Sequence, residues 1–138
     1  MDLYQCLHLK KVYDPPGLPS GAPKYSIIAS TSARNLIFVS GLSAVDSMGK
    51  LVGVGDIDAQ VEQVFRNLEI ALKAQGATFN DVVRFAAYVI DMDKARPAIN
   101  RVRLKYIQKE APAAILVGVT RLPDPECLVE IEVIAAMD

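Results

Sequence analysis

The chain is short of the side chains that much catalytic machinery requires. His8 is the only histidine, and Cys6 and Cys127 stand far apart with no Cys-x-x-Cys spacing. A histidine-rich metal centre, a Ser-His-Asp triad and a redox dithiol are therefore all poorly supported. The plain expectation is that both thiols are reduced and at least half-buried, and that His8 is an ordinary polar residue on an N-terminal strand. Formal net charge is −1, with no run of Lys or Arg. Nothing marks a surface that binds nucleic acid by neutralising phosphates. No apolar stretch approaches the roughly 18 residues of a membrane span, and no signal-peptide core opens the chain, so a cytoplasmic protein is expected. Gly53-Val-Gly55 lacks a third glycine, and no Gly-Lys-Ser/Thr follows. Nucleotide binding by a glycine-rich loop is excluded on that pattern.

What is present reads as one domain over residues 1–138, with 51% hydrophobic and 22% charged residues, enough for a sizeable core. Tyr4 to Val12 alternates loosely, as a strand does. Asp14 to Pro23 is dense in Pro and Gly and reads as a loop. Tyr25–Thr31 and Leu36–Ser40 are β-rich runs around Ser32-Ala-Arg-Asn35, which predicts a hairpin. Ile57, Val61, Val64, Phe65, Leu68, Ala71 and Leu72 recur at helical spacing, with Asp56 or Asp58 to cap the start and Gly76 to close the end. Val82 to Ile90 is a buried strand. Asp93 then opens a second helix with Ala95, Ile99, Val102 and Tyr106 inward and Pro97 in its first turn. Ile115–Leu122 and Leu128–Ala135 are the last strands. This order predicts an α+β fold: one mixed sheet with two helices on one face and hairpins at both ends. The apolar character of the final strands implies that the other sheet face is covered as well, most economically by identical subunits.

Few residues in this pattern offer chemistry. Glu130 and Glu132 lie two positions apart on a strand and so share a face, opposite Val129, Ile131 and Val133. A carboxylate inside a core-grade strand is costly unless it is used or neutralised. The alternative is a solvent-facing edge strand. Ile134 on the same face speaks against a uniformly polar surface. Ser40-Gly41 ends an apolar strand, where glycine exposes backbone groups to a ligand, or simply turns the chain. Tyr25 offers a phenol to a cleft or packs at the rim of the core.

The order and spacing of several segments resemble the Rid (RidA/YjgF) family over roughly residues 20–136. These are Phe38-Val-Ser-Gly41, Gly49, Gln60 with Asn67, Leu72 and Gly76, Asp81-Val-Val, Tyr88-Val-Ile-Asp91, Asn100, Arg121-Leu-Pro123 and Glu130-Ile-Glu132. The resemblance implies a chorismate-mutase-like or ferredoxin-like βαββαβ fold and a homotrimer whose sheets form a central barrel with three inter-subunit clefts. It also implies cofactor-free hydrolysis of reactive enamines and imines. Carried over by position, Glu130 is the catalytic carboxylate, and Tyr25, Ser40, Gly41, position 114 and the Leu116 backbone N–H line the substrate site.

Two departures fall on that site. The family's Pro-Ala-Arg-Ser reads Pro112-Ala113-Ala114-Ile115 here, and the preceding loop Gln108–Pro112 is shorter by about three residues. The missing arginine would grip the substrate's carboxylate, an interaction worth roughly 1.5–3 kcal/mol. Standard 2-imino acids should therefore be poor substrates. Arg103 and Arg121 are candidate replacements, although neither occupies the lost position. The competing expectations are a non-catalytic trimer that binds a small metabolite and, less favoured by the charge balance, a ribonuclease or translation inhibitor.

Overall fold

Two helices and six strands make up most of the computed structural model, which describes residues Lys10–Asp138. In chain order they are β1 (Lys10–Tyr13), β2 (Ile28–Thr31), β3 (Asn35–Leu42), α1 (Ile57–Lys73), β4 (Val82–Val89), α2 (Met92–Tyr106), β5 (Ala113–Gly118) and β6 (Val129–Met137). Residues Phe79–Asp81 add a single 3-10 turn before β4. The expected strand over Tyr4–Val12 is met from Lys10 onward; its earlier part, with Cys6 and His8, lies outside the described residues.

The two helices form for the reasons their spacing predicts. In α1 the buried stripe is Val61, Val64, Phe65, Leu68 and Leu72, and the Asp56 carboxylate accepts from the Ala59 N–H at 3.1 Å. Gly76, at a φ of +74°, closes the helix while the Ala77 N–H returns to the Leu72 carbonyl. In α2 the cap is Asp91 rather than Asp93, its carboxylate accepting from the Lys94 N–H. Because the helix starts at Met92, Pro97 falls in its second turn, not its first. The carbonyl four residues earlier belongs to exposed Asp93, where water can reach it.

The main sheet has four strands in the order β3-β6-β4-β5, with β6 antiparallel to both neighbours and β4 parallel to β5. The expected mixed sheet with two helices on one face is present. Its elements run β-α-β-α-β-β, so the last helix returns one strand earlier than a βαββαβ repeat would place it. Neither expected hairpin forms. β2 pairs with β1 in a separate two-stranded ribbon, while β3 goes to β6. The Arg34 N–H, bonded to the Asp138 carboxylate at 2.8 Å, marks where the chain passes between the two sheets. At the other end β4 lies between β5 and β6, because the parallel crossover through α2 sets β5 on one side of β4 and leaves the other side for β6.

Val129, Ile131, Val133 and Ala135 of β6 and Phe85, Ala87 and Val89 of β4 face the helices and are buried. Phe65 sits at their centre, with ring centroids 5.8 Å from Phe79, 5.9 Å from Phe85 and 5.3 Å from Tyr106. Fully buried Gln60 ties this layer to the loops above it. Its amide donates to the Gly53 and Glu126 carbonyls at 3.1 and 2.9 Å, and its oxygen accepts from the Leu128 N–H at 2.8 Å. The opposite sheet face is different. Phe38 is 71% exposed, Leu36 52% and Ile115 44%, so this protomer leaves an apolar surface open.

Candidate active site

The alternation of β6 sends Glu130, Glu132 and Ile134 to the face away from the helices. Glu132 is exposed and accepts from the Tyr88 hydroxyl at 3.1 Å, a bond that raises the tyrosine's pKa by holding its proton. Glu130 is half-buried and lies against Gly41. The pairing of β3 with β6 slips between Val39 and Leu42, placing Ser40-Gly41 in an irregular stretch. A Cβ built on Gly41 would fall into Glu130 Oε1 and stand 3.1 Å from its Cδ and Cγ. Glycine is therefore required at this position to seat the carboxylate beside exposed backbone, and not because of its φ.

A second group of expected residues gathers at the other edge of the sheet. Tyr25, Ala114 and Leu116 line a cavity of about 500 Å³ between β5 and α2, together with Lys24, Met92, Arg96, Asn100, Arg103 and Ile115. The loop that carries Tyr25 is organised by Asp14. Its carboxylate accepts from the Ser20 hydroxyl at 2.5 Å and from the Ile27 and Gly21 N–H groups at 2.7 and 3.1 Å. These bonds, the Ser20 one foremost, lower the pKa of Asp14. Gly21 lies under the Tyr25 ring, where a Cβ would collide with the ring and with the Tyr25 carbonyl. The Ser26 N–H donates to the Pro112 carbonyl at 3.1 Å, which fixes this loop to the start of β5.

The two groups do not meet within one protomer. Across the sheet Glu130 is level with Tyr88 and Tyr88 with Val117, so Glu130 is two strand spacings from β5, about 10 Å. It also faces away from the helices, whereas Ala114 and Leu116 pack towards them. Ser40, Gly41 and Glu130 make one cluster and Tyr25, Ala114 and Leu116 another.

Of the two candidate replacement arginines, Arg121 is exposed in the β5–β6 connection and lines none of this cavity. Arg103 does line it and is 4% exposed. Its guanidinium lies 4.6 Å above the Phe85 ring, and Phe85 is the β4 residue paired with Ala114. Nη1 donates to the Lys24 carbonyl at 3.0 Å, and Nε is buried with no hydrogen-bond partner among the described residues. Burial lowers its pKa to about 10. Sequence reasoning weighs Arg103 as a replacement and places Asn100 in the family pattern, but does not foresee that they share this wall with Met92 and Arg96. Met92, Arg96, Asn100 and Arg103 recur at helical spacing and form one stripe of α2, a polar seam beside the apolar one that the periodicity search found. Cys127 is buried and free, as expected, its thiol pKa raised chiefly by that burial. Among the described residues no group of three or more His, Cys, Asp or Glu side chains is placed to hold a metal ion. No helix there is long and apolar enough to cross a membrane.

Comparison with known proteins bears on the fold and the family. The family model described as Endoribonuclease L-PSP matches residues 19–137. A RutC family protein of Pyrococcus horikoshii is 33% identical over 127 residues, covering 92% of this chain and 98% of its own. The 3-aminoacrylate deaminase RutC of Acinetobacter baylyi is 32% identical over 126 residues, covering 91% and 97% respectively. Among solved structures, YyfB of Yersinia pestis, from the conserved Rid protein family, superposes with a TM-score of 0.87 at 32% identity, over 94% of this chain and 99% of that one.

Proposed function

The chain belongs to the Endoribonuclease L-PSP family, within the Rid (RidA/YjgF) superfamily, and on that premise we propose that it hydrolyses a small reactive enamine or imine in a cleft between copies of itself. The observation that carries this reading is Glu130, a carboxylate on a largely apolar sheet face, seated against a glycine that exposes the neighbouring backbone. Membership of a family that includes a 3-aminoacrylate deaminase supports the choice of substrate class.

In this reading Glu130 takes a proton from a water as its oxygen attacks the carbon of a protonated imine, forming a C–O bond and a neutral carbinolamine. The protonated glutamate passes that proton to the nitrogen; the C–N bond then breaks with its electron pair leaving on ammonia, while the carbinolamine hydroxyl gives its proton back to Glu130 as the C=O bond forms. An enamine enters by taking a proton from solvent on its β-carbon, which gives the same protonated imine. No step calls on a cofactor.

The two clusters on opposite faces and edges favour a homotrimer, in which the half-site around Glu130 on one copy meets the Tyr25–Ala114–Leu116 half-site of the next. The open apolar face with Leu36, Phe38 and Ile115 supplies a surface for that association. The proposed setting is cytoplasmic, with a small metabolite as ligand and neither nucleic acid nor membrane as partner.

Ala114 sets the specificity expected of such a site. β5 offers no cation, so 2-iminobutanoate and 2-iminopropanoate are turned over slowly. The test generates these imines in situ with an amino-acid oxidase, alongside 3-aminoacrylate, and follows ammonia release with wild-type protein, Glu130→Gln and Ala114→Arg. Loss of all turnover in Glu130→Gln and a gain on 2-imino acids in Ala114→Arg are expected. Wild-type turnover of 2-imino acids as fast as in arginine-bearing relatives would overturn the role given to Ala114. Inactivity of every variant on every substrate would leave the metabolite-binding trimer as the better account.

A further inference from the structure

A cation held inside a protein without a counter-charge is an expensive arrangement, and Arg103 is one. It is 4% exposed, yet no ion pair reaches it among the described residues. One guanidinium nitrogen is committed to the Lys24 carbonyl and the ring of Phe85 supports one face, which together fix the plane of the group. Its Nε–H is left buried and unsatisfied. The side chain belongs to the wall of the cavity of about 500 Å³ between β5 and α2, whose other lining residues include Lys24 and Arg96 but no carboxylate. Ala114, on the strand position paired with Phe85, lines the same cavity with only a methyl group.

We propose that Arg103 is a specificity-determining residue that anchors the carboxylate of a small organic acid from helix α2, through its unpartnered Nε edge, in place of a cation on β5. The proposal rests on reading this cavity as half of the substrate cleft. A planar carboxylate suits the unpartnered edge of a fixed guanidinium, because two roughly parallel N–H donors can meet its two oxygens; Nε is screened from solvent, so the ligand reaches it by displacing the side chains beside it. Exposed Arg96 and Lys24 stand at the rim and favour the approach of an anion. The substrates that follow are imines or enamines whose acid group points towards α2. A site without the strand arginine would then still select anions.

The test measures binding, not turnover. Wild-type protein, Arg103→Met and Arg103→Lys are titrated with 2-oxobutanoate, its neutral amide and inorganic phosphate. Binding is followed by thermal shift and by the nitrogen-15 resonance of the Arg103 Nε–H. Methionine keeps the apolar contact with Phe85, and lysine keeps charge without the paired donors. Expected are saturable binding of 2-oxobutanoate to wild type, displacement of the Nε–H resonance, no binding of the amide, and a roughly 10- to 100-fold weaker affinity in Arg103→Met. Arg103→Lys should fall between the two. Arg103→Met without ligand should melt no lower than wild type, since it removes an uncompensated buried charge. Affinity within threefold of wild type in Arg103→Met, an unmoved Nε–H resonance, or binding of phosphate alone would each overturn the assignment. Failure here with intact enamine hydrolysis removes only the anchor. Carboxylate binding through Arg103 in a protein that hydrolyses nothing removes only the catalytic reading.

Discussion

Replacing Gly41 by alanine separates the site from the fold. The added methyl would overlap Glu130 Oε1 and press on Cδ and Cγ, each 3.1 Å away, so the carboxylate must leave its present position. The backbone itself has no objection, since Gly41 is absent from the positive-φ residues. Alanine in a strand regains roughly 0.5–1 kcal/mol of conformational entropy relative to glycine. Displacing the glutamate to a poorer rotamer costs about the same, roughly 0.5–1.5 kcal/mol. The net change in stability should therefore stay within about 1 kcal/mol, a shift of only a few degrees in Tm. The effect on turnover is larger, because a shift of about 1 Å in a catalytic group can cost roughly 100-fold. Thermal denaturation and ammonia release on the same preparation test both halves. A Gly41→Ala protein that keeps its Tm and more than half its activity would refute the placement of Glu130 as the base. A protein that loses both together would show that Gly41 serves the strand rather than the carboxylate.

Three further outcomes follow from the packing. Gln60→Leu strips three backbone groups of their partner at once, and should cost about 2–4 kcal/mol and lower Tm by roughly 10 °C; a loss under 1 kcal/mol would mean that water replaces the amide. Phe38→Asp places a charge on the open apolar face and should convert the proposed trimer to monomers in sedimentation velocity, whereas an unchanged sedimentation coefficient would move the interface elsewhere. Lys10 is buried, donates to the Asn80 carbonyl at 3.1 Å, and has its pKa lowered to about 8, chiefly by burial. Between pH 8 and about 10.5 the unfolded chain binds the extra proton, so stability gains from this group as pH rises through that window. The stability of Lys10→Met relative to wild type should accordingly decline across it, and a flat difference would contradict the shift.

How much could be read beforehand depended on whether local pattern or long-range pairing decided the outcome. Both helices were legible because Val61, Val64, Phe65, Leu68 and Leu72 repeat with the period of the element itself, and because Asp56 and Gly76 mark its ends by local chemistry. The partners of the strands were not. β2 and β3 are neighbours in sequence, yet β2 pairs with β1 and β3 with β6, the latter through partners 89 to 102 residues apart and reinforced by the contact of Arg34 with Asp138. The alternation around Glu130 correctly set its face, but not that Gly41 is shaped around it. Arg103 was weighed only as an arginine out of position. Its burial depends on the Phe85 ring and the Lys24 carbonyl, which come from other elements and leave no trace in the spacing of α2.

The Gln60 latch has one more consequence, for how this loop can change over generations. Every second residue of β6 faces the helices, so slipping the strand by one position would bury Glu130 and turn Val129 outward. Gln60 guards against that error by clasping Glu126 and Leu128 just before the strand begins. Residues added or removed between Thr120 and Pro125 would then be absorbed as slack upstream of the clasp. The length of that connection is free to drift while the acid keeps its side of the sheet.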